Sequence, residues 1–202
     1  MSSGHPLALA HNDRSVLENH HARIAFAIAL APDCDLFAPL DHSCYRQIRD
    51  SVTALILDTD FSRHFEIMGK FRAKQTSEAG FDLESREDRL LLLSICLKCC
   101  DIGHTAKPLD KHISWTTRIT EESFRQGDEE KRLQLPVSPF CDRDATVLAK
   151  SQSGFIEFLA MPLFKAWGEQ FDGAAQMVEN VTANLTYWKA EAAAMDAAAK
   201  ED

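Results

Sequence analysis

Leu90 to Leu97 (LLLLSICL) is the longest apolar run in the chain, and it leads straight into Lys98-Cys99-Cys100-Asp101. Eight residues cannot span a bilayer, which takes about 20. A stretch that is apolar on nearly every side, Leu90 to Cys100, reads instead as a central buried helix. Such a helix has to be surrounded by partners with apolar faces of their own, so the fold depends on what the flanking sequence can offer.

The flanking sequence offers helices. Ser15 with Glu18 three residues on forms a capping-box pattern, followed by Leu17, Ile24 and Ile28 on one stripe, with His20 and His21 close to it. A second helix is predicted from about Ser43 to Leu57, with Cys44, Ile48, Val52 and Leu55 as its apolar face. After Asp58-Thr59-Asp60 it resumes through Phe61, Phe65, Met68 and Phe71. Lys74 to Arg89, polar and containing Gly80, reads as a loop. Pro108 bounds a further helix whose stripe is Trp115, Ile119 and Ser123 with Gln126 nearby, and Gly127 to Asp144, with Pro136 and Pro139, reads as a surface loop. The last major helix runs from about Lys150 to Phe171, kinked at Pro162, and the stretch from Tyr187 to Lys200 is Ala-rich. No strand alternation and no internal repeat interrupts this order. Gly and Pro together number only 15 of 202 residues, a poor supply for the turns of an all-β fold. The expectation is an all-α domain.

Charge and composition exclude several function classes. The net charge of −9 argues against a protein that coats nucleic acid. The first twelve residues carry no basic region or long apolar core of a signal peptide. Six cysteines without zinc-ribbon spacing read as reduced, buried thiols of a cytoplasmic protein. There is no G-x-S-x-G, P-loop or dinucleotide fingerprint. Two residues stand out. Asp101 ends an apolar helix, where a desolvated carboxylate needs a metal, a Lys or Arg, or N–H donors. It is either a metal ligand, with His104 three residues on, or a helix-end group paired with Lys98 or Lys107. Gln152 shares a helical face with Phe155 and Leu159. An amide beside an aromatic ring can read the edge of a planar base while the ring stacks on it, or it can be a buried amide bonded to backbone. The adjacent His20 and His21 point about 100° apart and cannot share a metal in the H-x-x-x-H manner. The pair Asp58 and Asp60 and the run Asp128 to Arg132 read as solvated charge.

Five strings together carry a resemblance: NDRSVLENHH (Asn12–His21), CCDIGHTAKP (Cys99–Pro108), QGD (Gln126–Asp128), SPFCDR (Ser138–Arg143) and KSQSGFI (Lys150–Ile156). In that order and spacing the chain resembles, over roughly Leu7 to Trp188, the catalytic domain of class I 3′,5′-cyclic nucleotide phosphodiesterases. The resemblance implies an all-α multi-helix bundle of the HD type. It implies hydrolysis of cyclic AMP or cyclic GMP to the 5′-monophosphate in signal transduction, by zinc with magnesium or manganese. Asp101 matches a zinc ligand, and Glu18 and Thr59 match second-shell partners of metal-bound water. Gln152 matches the purine-binding glutamine, Phe155 and Ile119 the two sides of the clamp around the base, and Phe61 and Phe140 pocket walls. His104 stands where cyclic AMP-selective relatives carry Asn and so resembles dual-specificity members. Ser123 replaces a usual Phe or Tyr, which loosens one wall.

The family's metal-binding motifs H-N-x-x-H and H-D-x-x-H, and with them the leaving-group histidine, occur nowhere in the chain, and only eleven residues precede Asn12. The reading is therefore an N-terminally truncated catalytic domain over residues 7–188 with an Ala-rich helical tail over 189–202. Its metal site is incomplete and the chain is inactive alone. The alternative is a non-catalytic helical nucleotide-binding or interaction module derived from a phosphodiesterase. The expected partner is a cyclic nucleotide, with no nucleic acid and no membrane, and an exposed apolar patch would offer a route to a homodimer.

Overall fold

Ser15 starts the first long helix without capping it. Its backbone is left-handed (φ 39°) and its hydroxyl makes no bond to the helix. It donates instead to Asp60 Oδ2 at 2.7 Å, so the Ser15/Glu18 capping box is not formed. A short helix α1 (Pro6–Ala10) precedes α2 (Val16–Ala29). Asp41 caps α3 (His42–Leu57), accepting the Ser43 and Cys44 N–H groups on Oδ1 at 2.8 Å each. A 3₁₀ turn over Phe61–Arg63 leads into α4 (His64–Gln75), and α5 spans Arg86–Asp101. A second 3₁₀ turn, Gly103–Ala106, precedes α6 (Leu109–Arg132). Helix α7 (Leu148–Phe155) passes through a π turn, Ile156–Ala160, into α8 (Met161–Gln170). After the 3₁₀ turn Asp172–Ala174, α9 (Ala175–Ala198) is the last helix among the described residues. The computed structural model describes residues 4–199, so residues 1–3 and the last three of the expected Ala-rich tail lie outside the described residues. Among the described residues there is no strand, and no helix is long and apolar enough to cross a membrane.

The chain divides into two compact units, residues 1–98 and 99–202. In the first, α2 packs on α3. Phe26 is buried within a ring cluster with Phe37 and Tyr45, and Arg49 lies over its face at 4.5 Å. Ile67, Met68 and Phe71 of α4 and Ile95 of α5 are buried. The expected α3 face is only half covered: Cys44 and Ile48 are exposed, and no residue of α3 is fully buried. Helix α5 is likewise buried on one side rather than all round, through Ser94, Ile95, Lys98 and Cys99, with Leu93 exposed. In place of apolar packing, Ser94 donates to Asp58 Oδ2 at 2.6 Å, and Asp58 also pairs with Arg63.

In the second unit, α7 and α8 pack on α9, burying Ile156, Ala160, Leu163, Phe164, Ala166 and Val181. The expected kink at Pro162 is a π turn just before it. Proline has no N–H to return to the carbonyl four residues back, and a widened turn absorbs that missing bond. All six cysteines are free thiols, but Cys34, Cys44 and Cys100 are exposed, against the expectation that they are buried.

Candidate functional site

In the first unit the expected site residues Thr59 and Phe61 flank Asp60. The Thr59 hydroxyl donates to the Ile56 carbonyl at 2.7 Å, closing the end of α3. Asp60 accepts from the Ser15 hydroxyl and from the Ser62 N–H at 2.8 Å. Burial pushes the Asp60 carboxyl up, but those two hydrogen bonds and the Lys98 charge hold it below the ordinary range. Phe61 lies with its ring 6.0 Å from the Lys98 ammonium and 6.2 Å from the His64 ring. Burial, then the Lys98 charge, pushes the buried His64 imidazole down. Glu18 and His20 on α2 are half-buried and His21 is exposed. His20 Nδ1 is a buried atom without a partner among the described residues.

In the second unit Asp101 is exposed at the end of α5, so the desolvated carboxylate expected there is not found. The apolar run before it covers one side only, and the helix end reaches solvent. His104 sits on the Gly103–Ala106 turn, half-buried, with its ring stacked on that of His112 at 5.5 Å and 16°. Burial, then His112, pushes the His104 imidazole down to about 4. His112, fully buried on α6, is held neutral by burial, against the opposing pull of its bond to the His104 carbonyl.

Helix α6 reverses the expected stripe. Trp115 and Ile119 are 46% and 39% exposed, whereas His112 and Thr116 face inward. Hydropathy picked the wrong side because the buried side is polar. Gln152 and Phe155 lie three residues apart on α7, both half-buried. Gln152 Oε1 is buried and has no hydrogen-bond partner among the described residues, and neither has Thr116 Oγ1.

Phe140, 67% exposed and left-handed (φ 66°), stands on a loop fastened to α6. The sequence pattern places Gly127 to Asp144 in a surface loop and reads Asp128 to Arg132 as solvated charge, yet Gly127 to Arg132 are helical and form the fastening. Glu130 accepts from both the N–H and the hydroxyl of Ser138 at 2.6 Å. Asp128 takes a two-pronged contact from Arg143, and Lys131 bridges Asp142 and Asp144. At Gly127 the Cys141 carbonyl comes so close that a Cβ would stand 1.9 Å from its oxygen. The co-occurrence of QGD and SPFCDR in the sequence was the available signal for this docking.

Zinc takes three or more protein ligands. Among the described residues no group of three or more His, Cys, Asp or Glu stands together so as to hold a metal ion. Asp101 offers one exposed carboxylate, and the described residues do not fit the expected zinc and magnesium or manganese centre.

The family model for 3′5′-cyclic nucleotide phosphodiesterase matches residues 1–181. The chain is 44% identical over 159 residues to the high affinity cGMP-specific 3′,5′-cyclic phosphodiesterase 9A of Mus musculus, covering 79% of this chain and 29% of that protein. It is 35% identical over 205 residues to the mouse high affinity cAMP-specific and IBMX-insensitive 3′,5′-cyclic phosphodiesterase 8A, covering 93% and 25% respectively. The crystal structure of the phosphodiesterase domain of Salpingoeca rosetta rhodopsin phosphodiesterase superposes with a TM-score of 0.92 at 30% identity, covering 99% of this chain and 61% of that one. The chain thus spans under a third of the length of these curated relatives. With its all-helical architecture and a family match across most of its length, the chain belongs to the 3′5′-cyclic nucleotide phosphodiesterase family.

Proposed function

We propose that this chain binds the base of a 3′,5′-cyclic nucleotide, as the base-reading part of a catalytic domain that hydrolyses cyclic AMP or cyclic GMP to the 5′-monophosphate. The observation that carries this reading is the orphaned Gln152 Oε1, buried on α7 one turn from Phe155. A buried acceptor without a donor costs about 1–3 kcal/mol, which a ligand N–H removes on binding. A carboxamide matches the donor and acceptor pattern of a purine edge, and Phe155 and Ile119 supply faces for the ring. Among the described residues nothing bonds Gln152 Oε1, so no bond at that atom fixes which way round the amide sits. His104, neutral near pH 7, adapts by tautomer. Both features favour acceptance of either base. One relative is named for cyclic GMP and another for cyclic AMP.

The roles of Asp101 as a metal carboxylate, of Glu18 and Thr59 beside metal-bound water, and of Phe61 and Phe140 as walls belong to the same reading. Because the described residues assemble no three-ligand group, the chain by itself is expected to bind nucleotide without turning it over. The same observation favours the second reading, a non-catalytic nucleotide-binding module. Titration calorimetry of the full chain with cyclic AMP and cyclic GMP tests the common core. Wild type binds, and Gln152→Ala weakens binding by about 5- to 150-fold, the worth of a two-point amide contact. No binding by wild type refutes the proposal. Turnover in a zinc- and magnesium- or manganese-supplemented assay would refute the inactivity and with it the second reading.

A further inference from the structure

The turn that carries His104 is held by side chains from two helices, and α9 supplies most of them. Asn184 donates both N–H groups of its amide, to the Thr105 carbonyl at 2.8 Å and the Lys107 carbonyl at 2.9 Å. Asn180, one helical turn earlier, donates to the Ala106 carbonyl at 2.9 Å. One turn later, Trp188 donates its indole N–H to His112 Nε2 at 2.7 Å. An indole nitrogen only donates, so His112 Nε2 is the acceptor and the ring proton sits on Nδ1. That Nδ1–H donates to the His104 carbonyl at 3.2 Å. Four consecutive carbonyls, from His104 to Lys107, are therefore each tied by a side-chain donor, and the His112 ring that holds the first also stacks on the His104 imidazole. Asn180, Asn184 and Trp188 stand at i, i+4 and i+8, one face of α9.

We infer that Asn184 and Trp188 are positioning residues for His104: Asn184 fixes the backbone of its turn, and Trp188 fixes the tautomer and plane of the ring it stacks on. Neither touches the nucleotide. Asn184 is 1% exposed, and its donors have nowhere else to go. Removing them takes the side-chain donor from the buried Thr105 carbonyl and the part-buried Lys107 carbonyl and frees the turn, while removing the indole N–H lets the His112 proton exchange between its two nitrogens. The consequence for base reading rests on the proposed function; the geometric half does not.

The test uses the full chain and two variants, Asn184→Asp, nearly isosteric but without donors, and Trp188→Phe, which removes the indole N–H and keeps an aromatic ring. Nitrogen-15 NMR of the wild-type rings should show His112 as a single Nδ1–H tautomer and His104 protons displaced by stacking. In both variants the His104 ring resonances should move, and in Trp188→Phe the His112 nitrogens should shift toward a tautomer mixture, with helicity by circular dichroism retained. The ratio of cyclic AMP to cyclic GMP affinity should change by about fivefold or more, the worth of one good hydrogen bond, whereas Gln152→Ala weakens both nucleotides. Unmoved His104 resonances overturn the inference whatever the binding result. Moved resonances with an unchanged ratio in a binding-competent protein overturn its link to base reading. A wild type that binds neither nucleotide refutes the proposed function instead, and the NMR comparison still decides the positioning. If Asn184→Asp does not fold, Trp188→Phe decides alone.

Discussion

Gly127→Ala sets helix propensity against tertiary contact. Gly127 lies inside α6, where glycine costs about 1 kcal/mol relative to alanine, so propensity alone predicts a more stable protein. The contact predicts the reverse. The new Cβ would stand 1.9 Å from the Cys141 carbonyl oxygen, 2.7 Å from its carbonyl carbon and 3.2 Å from its Cβ. Non-bonded carbons rest at about 3.5–4.0 Å, so the backbones of helix and loop would have to part by roughly 1 Å or more. No flexible side-chain tip is available to yield. Cys141 lies between Ser138, held by Glu130, and Arg143, held by Asp128, so the loop cannot retreat without stretching those bonds. Overpacking of this kind costs about 1–3 kcal/mol, and a backbone-on-backbone clash belongs at the upper end. Set against the propensity gain, the net is about 2 kcal/mol of destabilisation. In urea, with a slope of about 1–3 kcal/mol per molar, the unfolding midpoint followed by circular dichroism should fall by about 1 M. Residues 133–147 should also become more open to limited proteolysis. A midpoint at or above wild type, with the loop equally protected, would refute the reasoning.

Two further outcomes are expected. His104 is depressed to about 4 in the fold and His112 is also lowered, both mainly by burial, while in the unfolded chain such imidazoles titrate near 6.5. Their contribution to stability is complete above about pH 6.5 and is lost as pH falls toward 4, because the unfolded chain takes up protons that the folded one refuses. The urea midpoint should fall across that window, and less steeply in His104→Asn; identical pH profiles would contradict this. Phe140→Gly should relieve a left-handed residue whose ring is 67% exposed, giving a gain of up to about 1 kcal/mol in urea denaturation. It should also weaken nucleotide binding in calorimetry if the ring is a wall of the site. A clear loss of stability would rule out the strain reading.

What could be read from the sequence was set by how far the decisive partners stand from one another along the chain. The α3 and α5 segments and the break at Asp58-Thr59-Asp60 follow from local patterns, and they form close to the predicted positions. The capping box at Ser15 fails because Asp60, 45 residues away, takes the hydroxyl. The Ala-rich end of the chain was expected to have little to bury, yet Trp188 is buried against a histidine 76 residues earlier. On α6 Trp115 and Ile119 of the expected stripe are exposed and the polar His112 and Thr116 are inside, the opposite of what periodicity predicts.

The strings that carried the resemblance are largely segments of backbone fixed by side chains from elsewhere. Asn180, Asn184 and His112 hold the carbonyls of the GHTAK stretch, and Glu130, Asp128 and Gly127 seat SPFCDR. Such segments tolerate few residues for packing reasons alone, so their recognisability does not by itself mark chemistry. KSQSGFI differs. Among the described residues no side chain answers its buried Gln152 Oε1, so that acceptor bears a desolvation cost that the twice-bonded Asn184 amide avoids. Among the described residues His20 Nδ1 and Thr116 Oγ1 share that condition, but only Gln152 pairs its open acceptor with a phenyl ring one turn away on the same helix, and the base-binding proposal rests on that pairing.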